Sequence, residues 1–211
     1  GKPIDESTVY DPHKPFEHRD PRCTYTIVEH GTQHLGVIFD PHFDRDKVYS
    51  AREGTEVVNN DSRSYKIQGT SNQYASYNGL VLKKHVDEDW LAPFEPENDK
   101  LILRYADVLL MKSEAKVRNG ENGDEELNRV RSRVAAPYRE ATLNTLLDER
   151  QLEFAWEGWR RQDLVRFGLF TRPYSSRPQL AGEASGYTTV FPIPDKVRRM
   201  NPNLVQNPGY K

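Results

Sequence analysis

The stretch ERQLEFAWEGWRRQDLVRFG, Glu149 to Gly168, constrains the fold more than any other part of the chain, because apolar seams and paired charges recur in it at helical spacing. At 3.6 residues per turn, Leu143, Leu147, Phe154 and Val165 share one face, and Leu152, Ala155, Trp156 and Trp159 share another. A helix with two apolar seams packs on two sides, so a continuous helix is predicted from Thr142 to near Gly168 within a multi-helix scaffold. Between the seams runs a charged stripe of Glu149, Arg150, Glu153, Glu157, Arg160 and Arg161. Glu157 precedes Arg160 by three residues and Arg161 by four, spacings at which the stripe neutralises itself. Gly158 costs about 1 kcal/mol relative to alanine inside a helix, and the predicted compensation is close approach of another backbone or a large ring, with Trp156 and Trp159 at hand.

Other helices follow from the same reasoning. Asp99 is a predicted cap for a helix from Leu101 to Arg118, on which Leu103, Leu110 and Val117 share a face, and Asn119 and Gly120 stop it. Asp124 opens a second helix to about Val134, broken by Pro137. The first 98 residues look different. An extended entry segment, rich in Pro, Asp and His, ends in HRDPR; CTYTIVEHG and GLVLKKHV are predicted strands; residues 36–78 are polar and turn-rich, with NND, QGTSN and SYNG and no sustained period. The loop DEDWLAPFEPEND carries Trp90 and Phe94. After the helices, TTVF is a predicted strand, DKVRRM a helical turn, and the prolines and apolar anchors of the last residues predict a docked tail rather than a frayed one. The division is therefore residues 1–98, loop-rich with short strands and a candidate ligand-binding surface, and residues 99–211, helical with a docked Pro-rich tail. The fold class is mainly α, with long irregular loops and a few short strands. No internal repeat of detectable period is visible.

Composition removes several functions. Thirty basic and 32 acidic residues leave a net charge of −2, and between Arg104 and Arg172 13 basic and 12 acidic side chains are intermixed, so there is no basic stripe for nucleic acid. A solvated, cross-paired surface is the expectation there. Cys23 is the single cysteine, which rules out an internal disulfide, a cysteine-built zinc site and a CxxC redox pair. The longest apolar run, Val108 to Met111, is far short of the ~20 residues that span a bilayer. A mean hydropathy of −0.85 and 36% hydrophobic residues are lean for a complete domain of this size, and Gly1 in place of Met suggests missing upstream sequence.

Three clusters invite a chemical reading. Glu149, Glu153 and Glu157 recur every four residues, nominally near the carboxyl spacing of retaining glycosidases, yet they line one helix face beside Arg150, Arg160 and Arg161 rather than facing each other across a cleft. A structural ladder is the better reading. Arg104, Asp107 and Glu114 on the preceding helix are expected to pair with that ladder, and Glu153, Phe154, Glu157, Arg161 and Asp163 are taken as structural with them. His30, His34 and His42 lie near Asp40, Asp44 and Asp46, but Gly31 and the strand-like context spoil zinc geometry, and the acidic run lacks the glycine and terminal glutamate of a calcium loop. No metal and no cofactor are assigned. Aromatic rings stack on the apolar C–H faces of sugars while amides and charged groups bond their hydroxyls. Tyr49, Tyr65, Tyr74, Tyr77 and Trp90, with Asn72 and its neighbours Asn59, Asn60, Arg63 and Gln73, form such a set on loops. No GxSxG, HExxH, Walker or GxGxxG motif occurs, so no enzyme is indicated.

LILRYADVLLMKSEAKVRNG, then ELNRVRSR, ERQLEFAWEGWRRQDLVRFG and FPIPDKVRRMNPNLVQNPGY, occur in an order that resembles the C-terminal part of the SusD/RagB family. HRDPRCTYTIVEHG and GLVLKKHV resemble segments of the same family, so the likeness covers most of the chain except its polar middle. The resemblance implies a TPR-like helical scaffold and a non-catalytic, surface-exposed outer-membrane lipoprotein. It further implies binding of nutrient glycans for a SusC-like TonB-dependent transporter. The family's lipid-anchoring cysteine and N-terminal helices have no counterpart here, so the chain resembles the C-terminal portion of a longer protein. A peptide- or protein-binding member of the family uses the same scaffold with different loops, and a glycoside hydrolase is the third reading.

Overall fold

The computed structural model describes residues 7–11, 14–29, 32–34, 37–39, 47–50, 55–58, 81–86, 98–99, 101–173 and 178–210. The chain forms two compact units, Gly1–Glu157 and Gly158–Lys211.

In the first unit α1 (Cys23–Thr26) precedes two antiparallel hairpins, β1 (Thr32–His34) with β2 (Val37–Phe39) and β3 (Lys47–Ser50) with β4 (Thr55–Val58). His34 pairs with Val37 in the first hairpin and Ser50 with Thr55 in the second. Three helices follow: α2 (Tyr105–Arg118), α3 (Asp124–Ser132) and α4 (Leu143–Glu153). Each starts for a legible reason. In α3, Asp124, Glu125 and Glu126 occupy the first turn and Arg129 and Arg131 the last, the arrangement that complements the helix dipole. In α4, Thr142 and Thr145 form a reciprocal capping box that satisfies two otherwise orphaned N–H groups. Helix α2 begins at Tyr105 with Arg104 in extended conformation as its N-cap, so Asp99 is not its cap and Leu101 to Leu103 precede it, all exposed.

Helix α2 packs on both α3 and α4. Their core is Leu109 and Leu110 from α2, Leu127 and Val130 from α3, Leu146 and Leu147 from α4, and Phe154 just beyond. Burial of each such side chain contributes about 1.5–3 kcal/mol before entropy is subtracted.

Four further sequence expectations are corrected. The helix predicted from Thr142 to Gly168 is two: α4 stops at Glu153, and the next helix, α5 (Arg160–Arg166), starts in the second unit. The break lies at Trp156 and Gly158, whose φ angles of 65° and 82° are left-handed and incompatible with a continuing helix. Gly158 therefore serves its own backbone and not a close approach, since a Cβ built there meets nothing within 4 Å. Trp156, expected in an apolar seam, is 63% exposed. The predicted strand CTYTIVEHG forms the short helix α1 followed by an isolated bridge, Ile27 to Leu82.

In the second unit α5 is followed by two short 3₁₀ turns, Glu183–Ser185 and Tyr187–Thr189, and by α6 (Asp195–Met200). Predicted strand TTVF lies partly in the second 3₁₀ turn, and side chains of the tail replace a neighbouring strand there. Gln206 accepts from Ile193 N at 2.8 Å and donates to Ile193 O at 3.0 Å, Asn207 Nδ2 donates to Phe191 O at 2.7 Å, and Tyr210 Oη donates to Val190 O at 2.8 Å. These bonds dock the tail on residues 190–193 and answer the backbone groups that a sheet would otherwise pair.

Candidate functional site

The charged stripe of α4 is buried. Glu149, Arg150 and Glu153 are each no more than 3% exposed, in place of the solvated surface expected from composition. A buried carboxylate requires paired donors, and here they arrive from distant parts of the chain. Arg22, in the HRDPR segment, is held by Asp20 through Nε at 2.7 Å and Nη2 at 2.8 Å, and its Nη1 donates to Glu149 Oε1 at 2.7 Å and Glu153 Oε2 at 2.9 Å. Arg131 of α3 donates to the other oxygen of Glu149. Glu153 Oε1 takes Arg104 Nη1 at 2.5 Å and Arg133 Nη2 at 2.9 Å. Asp107 of α2 takes Arg150 Nη1 at 2.5 Å.

Beyond the end of α4, Glu157 accepts from Arg104 Nε at 2.9 Å and Nη2 at 2.8 Å and lies 2.5 Å from Lys84 Nζ. The stripe therefore does not neutralise itself along one helix: the left-handed Gly158 lies between Glu157 and Arg161 and removes the i,i+4 geometry that the pair needs. Arg161 instead donates to Thr188 O and Thr189 O, both at 3.0 Å, and stacks over Phe170 and Phe191. Glu114 pairs with Arg118 on its own helix at 2.8 Å. Asp163, buried, pairs with Arg166 at 3.1 Å. Phe154, 4% exposed, lies under the guanidinium groups of Arg104 and Arg150 at 4.7 and 4.9 Å from its centroid.

The protonation states follow from these contacts. Burial alone raises the Glu153 pKa, but hydrogen bonds from Arg104 and Arg22 and the charges of Arg104 and Arg133 outweigh it, so the carboxyl stands below its ordinary value. Glu157 behaves alike, burial opposed by Arg104 and Lys84. Burial would lower the Arg22 pKa, and its bonds to Asp20, Glu149 and Glu153 more than reverse that. All three groups are held charged.

Of the sequence-derived ligand residues, Tyr49 lies on β3, opposite Glu56 in the hairpin register. Tyr65, Asn72, Tyr74, Tyr77 and Trp90 lie outside the described residues, as do His30, Asp40, His42, Asp44 and Asp46. Among the described residues no three His, Cys, Asp or Glu side chains are grouped to hold a metal ion. What the structure adds is how the described residues 26–28 and 81–84 are held. Val28 N donates to Val81 O and Lys83 N to Thr26 O, both at 2.9 Å, and Lys84 Nζ donates to Glu153 O at 2.9 Å. Sequence reasoning missed Arg22, Lys84, Arg131 and Arg133. Position within HRDPR was a signal for Arg22 alone; the others carry no local pattern.

The described helices form a scaffold cross-tied by buried ion pairs. The chain belongs to the SusD family, whose model matches residues 1–210. Among curated proteins it is 35% identical over 123 residues to the starch-binding protein SusD of Bacteroides thetaiotaomicron, covering 55% of this chain and 22% of that one. It is 29% identical over 154 residues to the SusD-like protein P25 of Formosa agariphila, covering 60% and 28%. Among solved structures, a laminarin-binding SusD-like protein superposes with a TM-score of 0.58 at 28% identity, over 90% of this chain and 35% of that one. A SusD-like carbohydrate-binding protein from Bacteroides fragilis, at 22% identity, shares the fold with a TM-score of 0.61 over 95% and 44%. The chain thus has the helical, TPR-like SusD fold and spans between a fifth and a half of the length of these relatives.

Proposed function

We propose that this chain is part of a non-catalytic lipoprotein that binds nutrient oligosaccharides at the outer-membrane surface and delivers them to a SusC-like TonB-dependent transporter. Membership of the SusD family, with relatives named for starch and laminarin binding, is the observation that carries this reading. The ligand surface is assigned to the polar segment between Gly36 and Trp90, where Tyr49, Tyr65, Tyr74, Tyr77 and Trp90 offer faces for sugar rings and Asn72 offers hydrogen bonds to hydroxyls. Among the described residues no helix is long and apolar enough to cross a membrane. A non-catalytic role is supported by the glutamates. A glycosidase acid needs a carboxyl raised in pKa and facing its partner across a sugar, whereas Glu153 and Glu157 are lowered and face cations.

Titration calorimetry with oligosaccharides derived from starch and laminarin tests the reading. Binding without release of reducing sugar is expected, weakened by Tyr74→Ala and by Trp90→Ala. A flat response across plant and host polysaccharides would sink it.

A further inference from the structure

Beyond Glu183 the sequence carries one acidic residue, Asp195, against four basic ones, Lys196, Arg198, Arg199 and Lys211, although the whole chain has a net charge of −2. Asp195, Arg198 and Arg199 stand at i, i+3 and i+4 of α6, so their side chains share one face of the helix. After Met200 the chain turns back. Asn201 N donates to Val197 O and Leu204 N to Asn201 O, both at 3.1 Å, and Asn203 N donates to Asn201 Oδ1 at 3.1 Å. The turn sets Pro202 and Leu204 against the charged face, and with Asp195, Arg198 and Arg199 they line an open recess of about 360 Å³. Small-molecule sites run from about 300 to 1,000 Å³. Gln206 closes the segment at its base, its side-chain amide bonding Ile193 N at 2.8 Å and Ile193 O at 3.0 Å. The recess is thus held in shape before a ligand arrives, which lowers the entropic cost of binding.

We propose that this recess binds an acidic sugar, a uronic acid residue of a glycan, with its carboxylate on Arg198 and Arg199, its hydroxyls on Asp195 and the C–H face of its ring on Pro202 and Leu204. Each part of the recess answers one part of that ligand. Arg199 is exposed, and among the described residues no side chain bonds its guanidinium, whose fork of donors fits a carboxylate bidentately. Arg198 Nη1 lies 3.4 Å from Asp195 Oδ1, longer than an ordinary charge-assisted hydrogen bond, so a carboxylate at normal distance is the better acceptor. Asp195 selects among anions. It repels a phosphate dianion, whereas a singly charged acid that also carries hydroxyl donors makes use of it. Pro202 and Leu204 give the ring's C–H groups an apolar surface. Two arginines are too few to track the backbone of a nucleic acid. The recess and its fit to a carboxylate stand on this geometry. That a sugar bears the carboxylate rests on the glycan-binding reading above, although none of the residues assigned to ligand there takes part.

Titration calorimetry on the full chain with trigalacturonate and with its methyl ester tests the proposal. The acid is expected to bind, and the ester, which keeps the hydroxyls and loses the charge, to bind about tenfold more weakly, the worth of one charge-assisted hydrogen bond. Arg199→Gln should cost a similar factor, and because the side chain is exposed its melting temperature should not change. Lys196→Gln removes the same charge from a residue that does not line the recess and should leave binding unaltered. Asp195→Asn should weaken binding if the carboxylate accepts sugar hydroxyls. Equal affinity for acid and ester, equal losses in Lys196→Gln and Arg199→Gln, or tighter binding by Asp195→Asn would each reduce the recess to a diffuse positive field and overturn the proposal. Benzoate bound as tightly as trigalacturonate would overturn the sugar and leave a bare carboxylate site. No heat with trigalacturonate overturns the whole, whatever starch and laminarin do, since those neutral glycans test the polar segment alone.

Discussion

Arg22 and Glu149 are 127 residues apart in the chain and 2.7 Å apart in space, both buried. Their bond ties the entry segment to α4, and Asp20 fixes the guanidinium from the other side. Removing one partner of a buried pair leaves the other charge uncompensated at a cost of about 3–5 kcal/mol. Arg22→Met should therefore destabilise the protein by that amount in urea denaturation, although the side chains are similar in length. A loss below about 1 kcal/mol, the range of exposed pairs, would show that water replaces the guanidinium.

Acid should act through the same class of contact. Glu126 accepts from Lys112 and Lys116, each at 2.7 Å, which lowers its pKa from 4.5 to about 2. Asp20, Glu153 and Glu157 are lowered as well. A carboxylate with a depressed folded pKa contributes stability that is present above its unfolded value and lost as pH falls through the folded one. Stability should hold at neutral pH and fall between about pH 4.5 and pH 2. In melts at stepped pH, Glu126→Gln should lie below the unaltered protein at pH 6 and converge with it toward the bottom of that window. Parallel curves would refute the assignment.

How far the sequence foretold this depends on the range of the interaction. Local rules sufficed where the cause is local: Thr142 begins α4 and Asp124 begins α3 because capping and dipole effects act within one turn. The break at Trp156 was hidden, because apolar and charged spacing continued past it and tryptophan carries no preference for left-handed backbone. The burial of Glu149 and Glu153 was hidden for a different reason. A charged residue looks solvated until its partners are known, and Arg22, Arg104, Arg131 and Arg133 come from three other places in the chain. The aromatic set proposed for ligand follows from composition and loop context alone, and only Tyr49 among it lies on a described element.

Gly123 lies against Ser113, whose Oγ donates to its carbonyl at 2.7 Å. A Cβ at this position would sit 2.6 Å from Ser113 Oγ and 2.7 Å from the Ser113 carbonyl oxygen. Gly123→Ala should cost about 1–3 kcal/mol by overpacking the turn between α2 and α3. Adding Ser113→Ala should recover part of this, since it removes the hydroxyl and leaves the carbonyl clash. Full recovery in a double-mutant cycle would contradict the backbone contact.

Trp156 offers the opposite case. Its left-handed φ of 65° strains a side chain that is 63% exposed. Asparagine tolerates that backbone better, so Trp156→Asn should raise the melting temperature of this chain or leave it unchanged. A loss of several degrees would mean that the indole supports the turn before Glu157 by contact rather than by conformation.

Arg161 shows what a lysine cannot replace. Its guanidinium lies 4.2 Å from the Phe191 centroid and 4.8 Å from that of Phe170, and Nη2 bonds two successive carbonyls, Thr188 O and Thr189 O. A planar cation satisfies rings and carbonyls together, while an ammonium on a flexible stem is a point charge with stronger hydration. Arg161→Lys keeps the charge and should still loosen residues 186–191, seen as faster amide exchange at Thr188 to Phe191, with a cost of about 1–2 kcal/mol. Arg161→Met, which keeps the apolar stem and loses the charge, should loosen them further. If lysine protects these amides as well as arginine does, net charge rather than planarity holds the second 3₁₀ turn.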